Sequence, residues 1–143
     1  MLNAAYAACP DTIVRIDATA DDSLLAGWSR SVTVRSNRIV FNGGDGVSVV
    51  NSTDVAVASN LIAANRGNGV QVAAARGVKI GDNDVSRNAG DGVSVGRSRS
   101  VTVRSNSVNS NRGSGVAIVS TGGATVGGNT LDGNAKDGIA VTD

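Results

Sequence analysis

Apolar residues recur along this chain in pairs with one small or polar residue between, and the pairs recur at a fixed interval. Val47 and Val49 return as Val70/Val72, Val93/Val95, Val116/Ile118 and Ile139/Val141, always at a 23-residue step. A second paired column runs Val32/Val34, Val55/Val57, Val78/Ile80, Val101/Val103 and Ala124/Val126, and a third, single column runs Ile39, Ile62, Val85, Val108 and Leu131. Alternation with a period of two is the signature of strands, whose side chains point to opposite faces in turn. Each unit therefore predicts three short strands. Residues between the apolar positions (Thr33, Ala56, Lys79, Thr102, Thr125; Ser48, Gln71, Ser94, Ala117, Ala140) are expected to face out.

Three strands in so short a unit leave no room for helices, and no 3.6-residue stripe is present. A propeller blade takes about 40 residues, so the repeat is also too short for that. The remaining solution is a solenoid in which each unit is one coil, stacked ~4.8 Å above the last by parallel strand pairing. Five units run 29–51, 52–74, 75–97, 98–120 and 121–143. The same register carried backwards makes Ile16–Ala26 a worn partial coil, and the alanine-rich Met1–Cys9 is expected to form a short helix over the open end. The chain thus divides into an N-terminal cap and degenerate first coil, residues 1–28, and five coils, residues 29–143.

The turns are as regular as the strands. Asn37, Asn60, Asn83, Asn106 and Asn129 form one column, and Asn42, Asn65, Asn88, Asn111 and Asn134 another. Asparagine tolerates left-handed turn geometry, and stacked amides hydrogen-bond along an axis. A turn ladder explains these columns better than a ligand-binding surface. Gly46, Gly69, Gly92, Gly115 and Gly138 mark positions that need positive φ or would clash with a Cβ.

Composition narrows the function more than it names it. A net charge of +1 offers no field to steer nucleic acid, and no apolar run approaches the ~18–20 residues of a membrane span. With no histidine, a His-dependent triad is excluded, and 2% aromatics leave few stacking platforms. The single cysteine, Cys9, forms no internal disulfide. The stretch Met1–Cys9 lacks the basic start and full apolar core of a signal peptide. Trp28 falls on the turn column of Asn51 and Ala74, where packing against the cap is favoured over a surface contact.

The run Asn37-Arg38-Ile39-Val40-Phe41-Asn42-Gly43-Gly44-Asp45-Gly46-Val47-Ser48-Val49, followed in each unit by a Ser-led strand and the next Asn, resembles the right-handed parallel β-helix repeat of the pectate-lyase-like superfamily. The resemblance covers all five units. It implies an all-β, right-handed parallel β-helix solenoid of about 5–6 coils, each a 23-residue unit, with a short N-terminal cap. It also implies a carbohydrate-associated, extracellular or periplasmic setting, among polysaccharide lyases, hydrolases, epimerases and non-catalytic surface proteins. An activity does not follow, because fold and function separate widely in such families.

Two functions from different classes are compatible with these residues. The first is a non-catalytic structural module that self-associates through the C-terminal coil, where the sequence shows no capping segment and unpaired strand edges invite pairing. Near-identical blocks, such as Ser29–Asn37 against Ser98–Asn106, fit that reading and point to recent duplication or deliberate idealisation. The alternative is a polysaccharide-binding or polysaccharide-processing fragment. For it, Asp82, Asp84 and Asp91 of the third unit are the candidate site, with Ca2+ as the cofactor such a cluster would take. Asp82 and Asp84 interrupt columns otherwise held by Ser36, Ser59 and Ser105, or by Arg38, Leu61 and Ser107, although turn aspartates are also ordinary solubility residues. The columns Arg30/Arg76/Arg99 and Arg35/Arg104 offer a patchy track for a polyanion, with spaced solubilising charge as the plainer reading. Asp45 and Asp91, on alternate coils, are positioned for diagonal ion pairs with Arg66 and Arg112.

Overall fold

The computed structural model of the chain describes residues 4–7 and 23–143, with the backbone alone for 4–7, 23 and 24. Three parallel sheets wrap one core. Sheet 1 stacks Val32–Arg35, Thr53–Ala58, Arg76–Gly81, Arg99–Arg104 and Gly122–Gly127. Sheet 2 stacks Arg38–Val40, Leu61–Ala63, Asp84–Ser86, Ser107–Asn109 and Thr130–Asp132. Sheet 3 has seven strands: Ala4–Ala7, Ser23–Gly27, Val47–Val50, Val70–Ala73, Val93–Gly96, Val116–Val119 and Ile139–Thr142. From Leu24↔Val47 to Val116↔Ile139 every pairing keeps the period of the sequence repeat. The 23-residue parallel β-helix read from the apolar columns is the fold.

The strand register places the core where the alternation put it. Val32, Val34, Val47, Val49, Val70, Val72, Val93 and Val95 are all 0% exposed, and Ile39, Ile62, Val85 and Val108 close the third side. Branched side chains stack well on a pleated surface, because their restricted rotamers repeat from coil to coil. The intervening residues are half-buried or exposed, except Ala117, which is buried. In the fifth coil Ile139 and Val141 are 47% and 68% exposed, with no coil above them among the described residues.

The corners differ from the expectation in one respect. The left-handed residue is not the ladder asparagine but the residue before it. Ser36, Ser59, Asp82 and Ser105 hold φ between 55° and 59° ahead of one ladder, and Phe41, Ala64, Arg87 and Ser110 hold 56° to 61° ahead of the other. That reversal of hand turns the following asparagine inward, where it is nearly inaccessible. Asn83 shows what the position gains. Its Nδ2 donates to Val57 O at 2.9 Å on the coil below and to Asn106 Oδ1 at 2.9 Å on the coil above. Its Oδ1 accepts the N–H of Asn60 at 3.0 Å and the Nδ2 of Asn60 at 2.9 Å. Both donors and both lone pairs are used, which is the full capacity of a primary amide. The ladders begin at Asn37 and Asn42, whose Oδ1 atoms are buried without a partner among the described residues.

At Gly46, Gly69, Gly92 and Gly115 the second of the two expected reasons holds; at Gly138 a Cβ would meet nothing closer than 3.8 Å. Gly46 has no positive φ, but a Cβ there would lie 2.6 Å from Ile62 Cγ2, 2.8 Å from Asn65 Nδ2 and 2.8 Å from the carbonyl of Gly69. Glycine is required because the next coil's backbone and ladder amide occupy that space.

The N-terminal expectation is corrected in part. Ala4–Ala7 is not helical; it is a strand that pairs with Ser23–Gly27 in sheet 3, Ala4 opposite Ser23. An extended segment there supplies backbone partners to the sheet edge directly. The rest of Met1–Cys9, residues 16–22 of the expected partial coil, and Cys9 lie outside the described residues. Trp28 is 76% exposed; the cap it was expected to pack against lies, apart from the Ala4–Ala7 backbone, outside the described residues.

Two pairs of substitutions test this architecture. Val93→Asp buries an unpaired carboxylate at a 0% exposed position and should unfold the array, whereas Ser94→Asp, its half-buried neighbour on the outer face, should leave cooperative thermal unfolding intact. Equal effects would overturn the register. Gly69→Ala drives a Cβ to within 2.6 Å of the Gly92 carbonyl and should cost about 1–3 kcal/mol in denaturant titrations. Gly44→Ala, with nothing within 4 Å, should be neutral or slightly stabilising.

Candidate functional site

The three aspartates singled out by sequence do not converge. Asp82 occupies the left-handed corner after a sheet 1 strand at φ 55°, and Asp84 opens the next sheet 2 strand; both are exposed. Asp91 lies at the far turn, entering sheet 3, and its Oδ1 accepts the N–H of Ser114 at 2.7 Å. Among the described residues no group of three acidic, cysteine or histidine side chains is gathered closely enough to hold a metal ion. Asp91 instead belongs to a third ladder. Asn68 N–H donates to Asp45 Oδ1 at 2.6 Å, Asp91 N–H to Asn68 Oδ1 at 2.8 Å, and Ser114 N–H to Asp91 Oδ1. These bonds run opposite in sense to the inner ladders: here the upper coil's N–H donates to the lower coil's side chain. What Asp45 and Asp91 hold is therefore the backbone of the next coil, where Arg66 and Arg112 were the partners expected.

A different constellation stands at the corner between sheets 3 and 1. Here the chain leaves sheet 3 through a left-handed residue, turns one side chain inward, and enters sheet 1 with a side chain pointing out. The left-handed column is Trp28, Asn51, Ala74, Arg97 and Ser120, with φ from 46° to 57°. The inward column is Ser29, Ser52, Ala75, Ser98 and Thr121, in which Ala75 N–H donates to Ser98 Oγ at 3.1 Å. The outward column is Arg30, Thr53, Arg76, Arg99 and Gly122, with Arg76 paired to Thr53 on one side and to Arg99 on the other. Because one residue of the corner turns in, those on either side of it both project to solvent. Arg97 and Arg99 flank the buried Ser98 in this way.

Where the second coil passes into the third both corner positions are alanine, Ala74 and Ala75, and a concavity opens beside them. Its volume is about 330 Å³, and its walls are Asn51, Ser52, Thr53, Arg76, Arg97 and Arg99. Three guanidinium groups and no carboxylate line it. Arg76 and Arg99 are direct neighbours across a parallel ladder, ~4.8 Å apart, where like charges repel. An anion between them removes that repulsion, and the planar guanidinium presents paired donors suited to a carboxylate. The arrangement has donors of the kind an oxyanion would need. The Arg35/Arg104 column lies at the other end of the sheet 1 strands, ~16 Å along the strand, and does not join it.

Sequence reading finds Arg30, Arg76 and Arg99 as a column but misses Arg97. The signal is present: one further period added to the Trp28, Asn51, Ala74 column arrives at residue 97. What the period alone does not show is that this column and the Arg76 column face solvent side by side.

Residues 12–143 match the family described as the right-handed β-helix region. The chain belongs to that family. Among curated proteins none matches it significantly. Of solved structures, the mannuronan C-5 epimerase AlgE6 A-module of Azotobacter vinelandii is similar, with a TM-score of 0.69 and 24% identity over 80% of this chain and 36% of that one. The AlgE4 A-module of the same organism superposes over 95% of this chain and 47% of its own, with a TM-score of 0.64 and 14% identity. At these identities the likeness is one of fold, and this β-helix spans less than half the length of either epimerase module.

The roles of the aspartates are separable by stability. Asp91→Ala strips a partner from the buried N–H of Ser114 and should cost about 1–3 kcal/mol in chemical denaturation. Asp84→Ala should leave the midpoint within about 0.5 kcal/mol, as surface substitutions do. The reverse order would return Asp84 to the candidate site.

Proposed function

We propose that this β-helix is a polysaccharide-engaging module that takes an acidic glycan, of the polyuronate class, at the corner between sheets 3 and 1. The observation that carries the reading is the bay walled by Arg76, Arg97 and Arg99 with no carboxylate in its lining. A uronate chain presents one carboxylate per sugar together with hydroxyl groups, which matches guanidinium donors interleaved with Asn51 and Thr53. The fold neighbours point the same way, since both are named for acting on mannuronan, itself a polyuronate. They favour the polysaccharide alternative over the self-associating scaffold, for which the described structure and its neighbours supply no support.

Binding at this site is electrostatic in its recognition and open in its shape. Affinity should fall with salt as exposed charges are screened. Isothermal titration with polymannuronate should give saturable binding, and a neutral glucan of similar size should give none. Combining Arg97→Ala with Arg99→Ala should weaken polymannuronate binding about tenfold or more, while Arg35→Ala with Arg104→Ala should change it less than threefold. Equal binding of the neutral polymer, or equal loss in the two double variants, would sink the proposal.

A further inference from the structure

The chain's only tryptophan stands on the same corner as the arginine bay. Trp28 is 76% exposed and sits at φ 57°, a left-handed conformation that bulky residues rarely adopt. Its N–H donates to Val50 O at 3.1 Å, which fixes it as the first member of the column that continues through Asn51 and Ala74 to Arg97. Arg30, two positions on, heads the neighbouring column that continues through Thr53 and Arg76 to Arg99. Followed up the axis, the corner presents Trp28 with Arg30, then Asn51 with Thr53, then Ala74 with Arg76, then Arg97 with Arg99. Three coil steps of ~4.8 Å separate its ends, about 14 Å in all. Among the described residues this large apolar ring is left mostly uncovered, in line with a row of cations.

We propose that Trp28 is the stacking platform at one end of a single ligand-binding strip, and that the glycan lies along the solenoid axis from Trp28 and Arg30 to Arg97 and Arg99. This rests on the reading of the bay as an acidic-glycan site and adds to it a direction, a length and a second anchor. A pyranose ring has one face of C–H groups and an edge of hydroxyls, so an indole face meets the first and leaves the second to polar neighbours. Arg30 beside Trp28 holds a carboxylate at that end as Arg76, Arg97 and Arg99 do at the other. Between the anchors Asn51 offers amide donors, and Thr53 is held in place by donating its hydroxyl to Arg30 O at 3.0 Å. Exposed Asp54, next after Thr53, adds a negative charge that bounds the strip on its sheet 1 side. A compact anion would fill the bay and stop there. Only an extended chain reaches the tryptophan.

Because the indole is unique, its fluorescence reports on this end of the strip alone. The test is calorimetry and tryptophan emission run in parallel on the full chain, with dimannuronate and hexamannuronate as probes. Both should give binding heat that competes with inorganic sulfate at the bay. Only hexamannuronate should shift the emission of Trp28. Trp28→Ala is expected to fold, since Ala74 takes the same conformation at φ 52° in the same column. It should weaken hexamannuronate about fivefold to tenfold and leave dimannuronate unchanged, and Trp28→Phe should recover most of the loss. Hexamannuronate that binds with emission unmoved, and equally well to Trp28→Ala, overturns the strip while leaving the bay standing. Absence of heat from either oligomer overturns the bay, and the strip with it.

Discussion

Each coil of this protein has to satisfy its backbone through the coil above and the coil below, and nearly everything else follows from that. Parallel pairing at ~4.8 Å leaves no freedom in register, because a slip of one residue would turn every inward valine to solvent. The strands meet the requirement without help. The corners do not, since a chain that changes direction there points donors and acceptors away from its neighbours. Three stacked ladders close the gap: two of asparagine inside the corners flanking sheet 2, and one of Asp45, Asn68 and Asp91 at the entrance to sheet 3. Their bonds are neutral or backbone-directed, so the array does not depend on surface ion pairs that salt would weaken.

The division of labour at a corner explains residue choices that propensity alone does not. One residue adopts the left-handed conformation and the next turns inward. Many non-glycine residues take positive φ, yet among the described residues the only asparagine of these is Asn51, outside both inner ladders. A left-handed L-residue costs about 1–2 kcal/mol, so each corner carries strain that its inward hydrogen bonds offset. An amide that makes four bonds at 2.9–3.0 Å is worth more turned inward than spent on relaxing its own backbone. The left-handed slot is thereby released from structural duty. It accepts Ser36, Phe41, Arg87, Ala74 or Trp28 alike, because its side chain points outward whatever it is.

That release also sets what is legible in the sequence. Columns under internal constraint can be read directly: Val47 to Val141, Ile39 to Leu131 and the ten asparagines repeat because the coil above tolerates little else. The reasons attached to some of them are less legible. Gly46 answers to a carbonyl and an amide one coil away, which no local turn rule reveals. Periodicity credits Asn37 with a conformation that belongs to Ser36, since it places a residue on a column without telling which of two adjacent columns bends the chain. The site is the least legible part, for the same physical reason. Asp82 and Asp84 stand out by breaking columns on the outer surface, but breaking an outer column costs nothing, so a break there is weak evidence of use. Arg97 does not stand out at all, because its column has no consensus to break.

The outer columns therefore carry function only when several of them agree in space. At the corner between sheets 3 and 1 several columns do agree in space. Two alanines remove bulk where the second coil passes into the third, Ala74 and Ala75, and arginine appears on the coils and columns immediately around the gap. None of these residues is needed to hold the coils together: other coils place threonine, asparagine, serine or glycine at the equivalent positions and keep the same register. The stacked pair Arg76 and Arg99 repel one another and so contribute nothing to holding the coils together. A cluster that adds nothing to stability, on a scaffold free to discard it, is the physical ground for proposing that it binds an anion.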